Sequence, residues 1–494
     1  MNSRKKRFSI SLIIMVSLIA SASLSLSSQA YAARIYSPDG KGYLEYIMTD
    51  TGHAQPLLHL EGTGYEMGFQ HGYLMGEAAA EVASDELFQH IFQTFVLALG
   101  ETGQIINDLV MTDIGKRLGL NVSNSGMKPV DFIIAALKIF AKQNEKYIPQ
   151  EYLDEMRGIV DGARATGVHL KYEDVLLLNV GFDIYLSIVY RVGTPLLNAA
   201  DKAGTLTKGL QLSCNAFAMD GKATIGDSLF LGRDFMFNGP GLVDNPVIFE
   251  IYGKGRNRFV NIGAAGMVGV FAAMNEKGLG IGMDMVPSFD CTPTDVGMGT
   301  AFTAREVMAK ANELSQGVSI IKNSKRGVSW LYIVADGQGA ERGATSVEVS
   351  ANHVSTRSMK YAENTWLQKL LGTPARQQEK YPDVLIQTNH YILPNMYANY
   401  PLHYVDRGSM HRYDRMIEML NDPNHPLGGY GTYDFDKAFD YNNWMYLTGE
   451  ENETPQSYVN VSTTLFDLTN LRFRTLCGPT FGHGATEYDW SKRR

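Results

Sequence analysis

The feature that most constrains the fold is a change of pattern near residue 210, from long helical stretches to short strands separated by turns. Six strand-like runs follow one another, at 212–219, 229–237, 247–253, 258–263, 267–274 and 278–286. Runs of this length with Gly, Asp and Asn turns between them are typical of hairpins. The pattern therefore predicts an antiparallel sheet over this part of the chain.

The flanking parts of the chain mix helical and extended patterns. Residues 33–60 are predicted to be extended, and apolar residues at helical spacing predict helices at 65–99, 130–143, 150–165 and 172–190, followed by a polar link at 198–209. Beyond the hairpins we expect helices at 303–314, 412–420 and 435–446, and strands at 328–335, 344–349, 459–466 and 472–477. Blocks of helices and strands in this order predict an α+β fold rather than repeated βαβ units.

The first 32 residues have the composition of a secretory signal. A basic stretch at Arg4–Arg7 and an apolar run at Phe8–Ala20 precede the small-x-small sequence Ala30-Tyr31-Ala32. We expect cleavage after Ala32 and a secreted or periplasmic protein. The alternative is an uncleaved membrane anchor, although the run is shorter than the roughly 20 residues that span a bilayer. No other segment is predicted to span a membrane.

Charge and composition exclude several classes of function. Without the first 32 residues, the 44 − 4 = 40 Lys and Arg stand against 52 Asp and Glu, a formal charge of −12. No basic patch is present, so nucleic acid is not expected as a partner. The histidines lack ligand spacing, and the zinc-helix, nucleophile-elbow and phosphate-loop motifs are missing. We therefore expect no metal and no cofactor.

The three cysteines, Cys214, Cys291 and Cys477, are too few for a disulfide framework. A bridge between Cys291 and Cys477 would leave Cys214 as a free thiol. Three reduced and packed cysteines are the alternative, and the sequence leaves both open.

Cys214 has the most informative surroundings of the three. It opens the run 213–219, and the turn signals that follow allow the run 229–235 to return antiparallel to it. In such a hairpin Arg233 to Met236 lie opposite Ser213 to Asn215. A thiol at a strand end with a guanidinium and a carboxylate within reach predicts a nucleophile site.

The hairpin resembles the start of the catalytic chain in cysteine N-terminal-nucleophile (Ntn) hydrolases, in particular the peptidase C45 group with its acyl-CoA:6-aminopenicillanate acyltransferase-like proteins. Penicillin V acylases, bile salt hydrolases and acid ceramidase-like amidases are more distantly similar. The stretches that carry the resemblance are Cys214, Gly232-Arg233-Asp234-Phe235-Met236-Phe237, the upstream 62–72 sequence GTGYEMGFQHG, Asn275-Glu276-Lys277-Gly278-Leu279 and Thr388-Asn389-His390. They extend over nearly the whole chain after residue 60.

The resemblance implies an αββα sandwich and self-cleavage between Ser213 and Cys214. Residues 33–213 would then be a helix-rich segment, separate in sequence from a catalytic domain at 214–494. The freed α-amine, with a pKa of about 8, would serve as base for the Cys214 thiol. The resemblance further implies that Arg233 favours the thiolate and that Asn389 donates to the oxyanion.

Some residues depart from the family pattern. Relatives read G-R-N-x-D-F, whereas Asp234 stands here where Asn is usual and Met236 where Asp is usual. We interpret Asp234 as a substitute for the carboxylate missing at Met236. Asp284 occupies the place of a second polar Asn, and Arg412 follows Ser409 in an S-x-x-R stretch, so both are assigned to substrate binding; a helix-cap serine followed by a solvated arginine is the alternative for the latter.

These interpretations predict an exported, self-processed cysteine amidase or acyltransferase that acts on small linear amides through a Cys214 thioester. The two cleaved chains would remain paired, and no stable membrane insertion is expected after signal removal. Two alternatives remain open: a phospholipase B-like esterase or lipase, and a catalytically inactive binding protein on the same fold.

Overall fold

The computed structural model describes residues 33–120, 128–202, 214–237, 239, 241–359, 381–397, 406–447, 460–478 and 484–493. The predicted signal segment and the residues directly before Cys214 lie outside these ranges. Two stacked β-sheets form the centre of the molecule, and helices cover the outer face of each sheet.

The larger sheet has ten strands in the order β1-β2-β3-β6-β7-β8-β9-β10-β11-β12. Their bounds are Ile35–Tyr36 (β1), Tyr43–Met48 (β2), Ala54–Gly62 (β3), Pro246–Gly253 (β6), Phe259–Ala264 (β7), Ala272–Asn275 (β8), Leu279–Met285 (β9), Trp330–Asp336 (β10), Gly343–Val349 (β11) and Val354–Ser358 (β12). All neighbours are antiparallel except β3 and β6, which pair in parallel from Leu57↔Ile248 to Gly62↔Gly253. The segment before Cys214 thus contributes three strands to the sheet.

The smaller sheet has six strands in the order β13-β4-β5-β14-β15-β16. Their bounds are Val384–Gln387 (β13), Asn215–Met219 (β4), Phe230–Met236 (β5), Asn460–Asp467 (β14), Arg472–Cys477 (β15) and Ala485–Asp489 (β16). The predicted hairpin is confirmed, since β4 and β5 pair antiparallel with Asn215 opposite Asp234 and Ala216 opposite Arg233.

Ten helices accompany the sheets in the described parts of the chain: α1 (Gly64–Val82), α2 (Asp85–Leu118), α3 (Pro129–Asn144), α4 (Gln150–Ala165), α5 (Tyr172–Lys202), α6 (Thr300–Lys310), α7 (Leu314–Asn323), α8 (Pro394–Tyr397), α9 (Asp406–Asn421) and α10 (Phe435–Leu447). Helices α1–α7 pack on the outer face of the ten-stranded sheet, and α9 and α10 pack on the outer face of the six-stranded sheet.

Alternation along the strands separates the cores. Leu57 and Leu58 are neighbours in β3, yet Leu57 packs between the two sheets whereas Leu58 faces the helices. In the six-stranded sheet, Ala216 and Leu231 face the other sheet, and Phe217 faces α10. The layers are therefore helix, sheet, sheet, helix, as expected for the αββα sandwich.

Several boundaries differ from the predictions. Helix α5 continues past Tyr190 to Lys202, into the predicted polar link, and the predicted strand at 267–274 is reduced to Ala272–Asn275. By length and composition, residues Tyr172–Leu197 of α5 could span a membrane, contrary to our expectation for that part of the chain; 83% of the apolar window is buried inside the protein, as in a core helix. Each of the three cysteines is free and buried.

Candidate active site

Cys214 lies directly before β4 at the inner end of the sandwich and is 3% exposed. Its thiol donates a hydrogen bond to the carbonyl of Met236, with an Sγ to oxygen distance of 3.5 Å. Burial raises the pKa of the thiol, and the positive charge of Arg233 acts in the opposite direction. In the uncleaved chain the thiol is therefore held protonated at neutral pH.

Arg233 is the charged neighbour that the hairpin brings to Cys214. Its side chain is buried between the sheets, where it donates to the carbonyl of Met283 and lies 3.5 Å from the Asp284 carboxylate. Nε and Nη1 of Arg233 have no hydrogen-bond partner within the described part of the chain. The guanidinium therefore has donors available for a bound group.

Asp284 comes from β9 of the opposite sheet and is also fully buried. It accepts a hydrogen bond of 2.7 Å from Gln387, whose own side-chain oxygen accepts one of 2.7 Å from Ser346. Burial raises the pKa of Asp284, although Arg233 and Gln387 both act to lower it. Gln387 was missed by sequence reasoning, even though it directly precedes Thr388 in the T-N-H stretch.

Asn389 and Arg412 are brought to the same place from a loop and from α9. The Arg412 guanidinium donates to Asn389 Oδ1 at 2.5 Å and to the carbonyl of Cys214 at 3.4 Å. The Asn389 amide nitrogen in turn donates to the carbonyl of Met285 at 2.8 Å, and its backbone N–H donates to Ser409 Oγ at 2.7 Å. Two of the predicted residues thus share one buried hydrogen-bond chain beside Cys214.

Asp234 is not brought to the thiol in the way we expected. Consecutive residues of a strand point to opposite faces, so Asp234 faces α10 while Arg233 faces the other sheet. Its carboxylate accepts a hydrogen bond of 2.8 Å from Asn215, whose amide nitrogen also lies 3.1 Å from Asn442 Oδ1. The carboxylate on the thiol's side of the sheet is Asp284.

A largely apolar cavity of about 550 Å³ opens at Cys214. Helices α2 and α5 close one side of it, and β5 and the loops between strands close the rest. The lining consists of Leu87, Phe88, Ile91, Leu178, Phe182, Cys214, Arg233, Phe235, Met236, Phe237, Leu242, Met267, Phe271, Met285 and Trp330. Apart from the thiol and Arg233, these side chains offer almost no polar groups, so the cavity suits an uncharged apolar group next to the sulfur.

The upstream 62–72 motif serves helix packing instead. Thr63 and Glu66 form a reciprocal capping box at the start of α1. His71 is buried and its Nε2 accepts a hydrogen bond of 2.9 Å from the Gly266 N–H. A Cβ on Gly68 would lie 1.9 Å from a carbonyl oxygen of α4, so glycine is required for the two helices to touch.

No group of three or more His, Cys, Asp or Glu side chains in the described ranges is arranged to hold a metal ion. The side chains around Cys214 therefore have to be considered for chemistry that the thiol, Arg233, Asp284, Asn389 and Arg412 can perform.

Residues 241–478 match the family model described as acyl-coenzyme A:6-aminopenicillanic acid acyl-transferase. The resemblance expected from the motifs is thereby confirmed. The matched region includes Asp284, Asn389 and Arg412, and it begins after Cys214 and Arg233.

An uncharacterized protein from Archaeoglobus fulgidus is 38% identical over 447 residues, which cover 89% of this chain and 66% of the relative. Protein dcd1A from Dictyostelium discoideum is 23% identical over 346 residues, 69% of each chain. The chain therefore spans about two thirds of the length of these curated relatives.

The similar solved structures include an ortholog of N-acylethanolamine-hydrolyzing acid amidase from Caenorhabditis elegans, at 11% identity and a TM-score of 0.35, with 56% of this chain and 100% of that chain covered. A variant of conjugated bile acid hydrolase from Clostridium perfringens aligns at 14% identity and a TM-score of 0.35, with 57% of this chain and 94% of that chain covered.

Proposed function

Since residues 241–478 belong to the acyl-coenzyme A:6-aminopenicillanic acid acyl-transferase family, we propose that this protein is a self-processing cysteine amidase or acyltransferase with Cys214 as its nucleophile. The acyl group of a small linear amide would be carried as a Cys214 thioester and passed to water or to a second amine. The observation that carries the proposal is the position of Cys214, a buried thiol beside Arg233 at the mouth of an apolar cavity.

Self-processing would begin with the thiol of Cys214 attacking the carbonyl carbon of Ser213. The C–N bond before Cys214 breaks, a thioester forms, and the thiol proton passes to the released α-amine. Water then hydrolyses the thioester, which leaves Cys214 as a new N-terminus with an amine of pKa about 8. That amine can take the thiol proton in later turnovers, so no histidine is required.

Turnover would use the groups that the fold places around the sulfur. The acyl chain of the substrate enters the apolar cavity, and its carbonyl lies between the thiol and the polar chain formed by Asn389 and Arg412. One N–H of the Asn389 amide is bonded to the Met285 carbonyl, which fixes the orientation of the group and leaves its second N–H for the developing oxyanion. Arg233 provides unpaired donors on the other side of the sulfur.

The proposed export depends on the first 32 residues, which would be removed after Ala32. The mature protein would then act in a secreted or periplasmic location, and its two chains would stay together because β3 of the first chain pairs with β6 of the second.

The test is N-terminal sequencing and intact mass of the protein purified from the exported fraction. We expect two chains, one starting at Ala33 and one at Cys214, and a mass increase on the second chain when an activated acyl donor is added. A single chain that hydrolyses amides without labelling at Cys214 would contradict the proposal.

Two further measurements separate the rival functions. An inactive binding protein would take up an apolar ligand without forming a thioester. An esterase would turn over esters and leave amides with the same acyl group intact.

A further inference from the structure

Tyr190 has a buried hydroxyl that the protein itself leaves without a partner. The residue lies in α5 and is 3% exposed, and its hydroxyl makes no hydrogen bond within the described ranges. Nearly all buried polar atoms in native proteins are paired with protein atoms or with ordered water. An unpaired hydroxyl near a reactive group is therefore a candidate for contact with substrate.

The surroundings of this hydroxyl connect it to the nucleophile. Burial raises the pKa of Tyr190, and the charged forms of Cys291, Asp183 and Cys214 add to that rise because all three groups lie within electrostatic range. Two of them have partners elsewhere: the Cys291 thiol donates to the Ser288 carbonyl at 3.1 Å, and Asp183 accepts from the Thr300 backbone N–H at 2.6 Å. The hydroxyl stays protonated and can both donate and accept.

The geometry of α5 indicates which half of the substrate this hydroxyl would contact. Phe182 lines the apolar cavity, whereas Tyr190 follows eight residues later and is not part of the lining. Eight helical residues rise by about 12 Å. Helix α5 therefore runs from the cavity, which would take the acyl group, to the far side of Cys214, where the amine half of an amide would lie.

We propose that the Tyr190 hydroxyl binds the amine half of the substrate and hydrogen-bonds to the nitrogen that leaves. The inference rests on the proposed function. In the step concerned, the sulfur of Cys214 bonds to the acyl carbon, the C–N bond breaks, and the thiol proton ends on the departing amine. Tyr190 keeps its own proton and stabilises the nitrogen as it is released.

The test is Tyr190→Phe, assayed on an amide and on a 4-nitrophenyl ester with the same acyl group, with rates expressed per molecule of processed chain. Loss of one hydrogen bond to the leaving nitrogen should lower kcat/KM for the amide by about 10- to 100-fold. The ester carries no leaving nitrogen, so its kcat/KM should change less than about twofold. Deacylation should also be unaffected, because the amine has left by then.

A matched control is available in Tyr433, whose buried hydroxyl also has no partner in the described part of the chain but packs against Tyr441 under α10. Tyr433→Phe should leave both substrates unchanged. Neither variant should lower Tm, because each removes a hydroxyl that has no protein partner.

The outcomes are distinguishable from failure of the proposed function. If wild-type protein acylates Cys214 and Tyr190→Phe slows amide and ester equally, or slows neither, the role of Tyr190 is wrong while the amidase function stands. If wild-type protein is not acylated by either substrate, the proposed function itself fails.

Discussion

Replacing Arg233 by methionine should remove a charge pair that joins the two sheets. The Arg233 guanidinium lies 3.5 Å from the Asp284 carboxylate, and both side chains are almost completely buried. At that distance Coulomb's law gives ~5 kcal/mol for an effective dielectric constant of about 20. Because Arg233→Met leaves the carboxylate buried and unpaired, we expect the free energy of unfolding to fall by about 3–5 kcal/mol.

A second substitution separates the lost charge pair from the lost side chain. In the double variant Arg233→Met, Asp284→Asn, no unpaired charge remains, and the new amide oxygen can still accept the hydrogen bond from Gln387. Most of the stability should therefore return, while turnover stays low because Arg233 is absent. Urea unfolding of the wild type, both single variants and the double variant gives the coupling energy directly.

The pH dependence supplies an independent check of the same reasoning. Burial raises the pKa of Asp284 in the folded protein, so the folded state holds this proton more tightly than the unfolded state. Its contribution to stability is therefore present at low pH and is lost as pH rises through the folded pKa. Arg233→Met removes a charge that lowers this pKa, so the loss should extend to higher pH than in the wild type.

The refuting result is equally specific. If Arg233→Met costs less than about 1 kcal/mol, in the range of an exposed pair, or if its stability runs parallel to that of the wild type between about pH 4 and pH 8, the Arg233–Asp284 pair does not hold the sheets in the way the geometry indicates.

Three further changes test other parts of the structure. Asn389→Ala should lower kcat by about 10²–10³ with little effect on KM, because its amide acts on the oxyanion; an unchanged kcat excludes that role. Asp234→Asn should lower stability in urea but reduce turnover by less than about fivefold, since Asp234 bonds to Asn215 on the face away from the thiol. Gly68→Ala should cost at least about 1–3 kcal/mol in Tm-derived stability, because its Cβ would meet a carbonyl oxygen at 1.9 Å, whereas Gly253→Ala, with 3.5 Å of space, should be tolerated.

The local elements were predictable from sequence because their signals are local. The hairpin around Cys214 follows from two strand patterns and the glycine turns between them, and its register agrees with the expected pairing. Helix α4 and strand β15 have the predicted bounds for the same reason. The predicted helix 303–314 is instead two helices, α6 and α7, with a break at 311–313 that apolar spacing does not reveal.

Contacts between distant segments could not be predicted in this way. The parallel pairing of β3 with β6 joins residues almost 200 positions apart, and nothing in either strand's pattern specifies its partner. Gln387 and Ser346 were missed as neighbours of Asp284 because they come from different sheets. The domain limits at 213 and 214 stay a prediction.

The exchange of the family's carboxylate at Met236 has a consequence that only the three-dimensional arrangement reveals. The Met236 side chain lines the apolar cavity and its carbonyl accepts the hydrogen bond from the Cys214 thiol. The apolar surface therefore reaches the sulfur, while the carboxylate that acts on the thiol is Asp284, through Arg233 and from the opposite sheet. A carboxylate in that position influences the thiol through the two-sheet packing rather than along one strand, so a substitution that shifts the sheets relative to each other should alter the reactivity of Cys214 even without touching its hairpin.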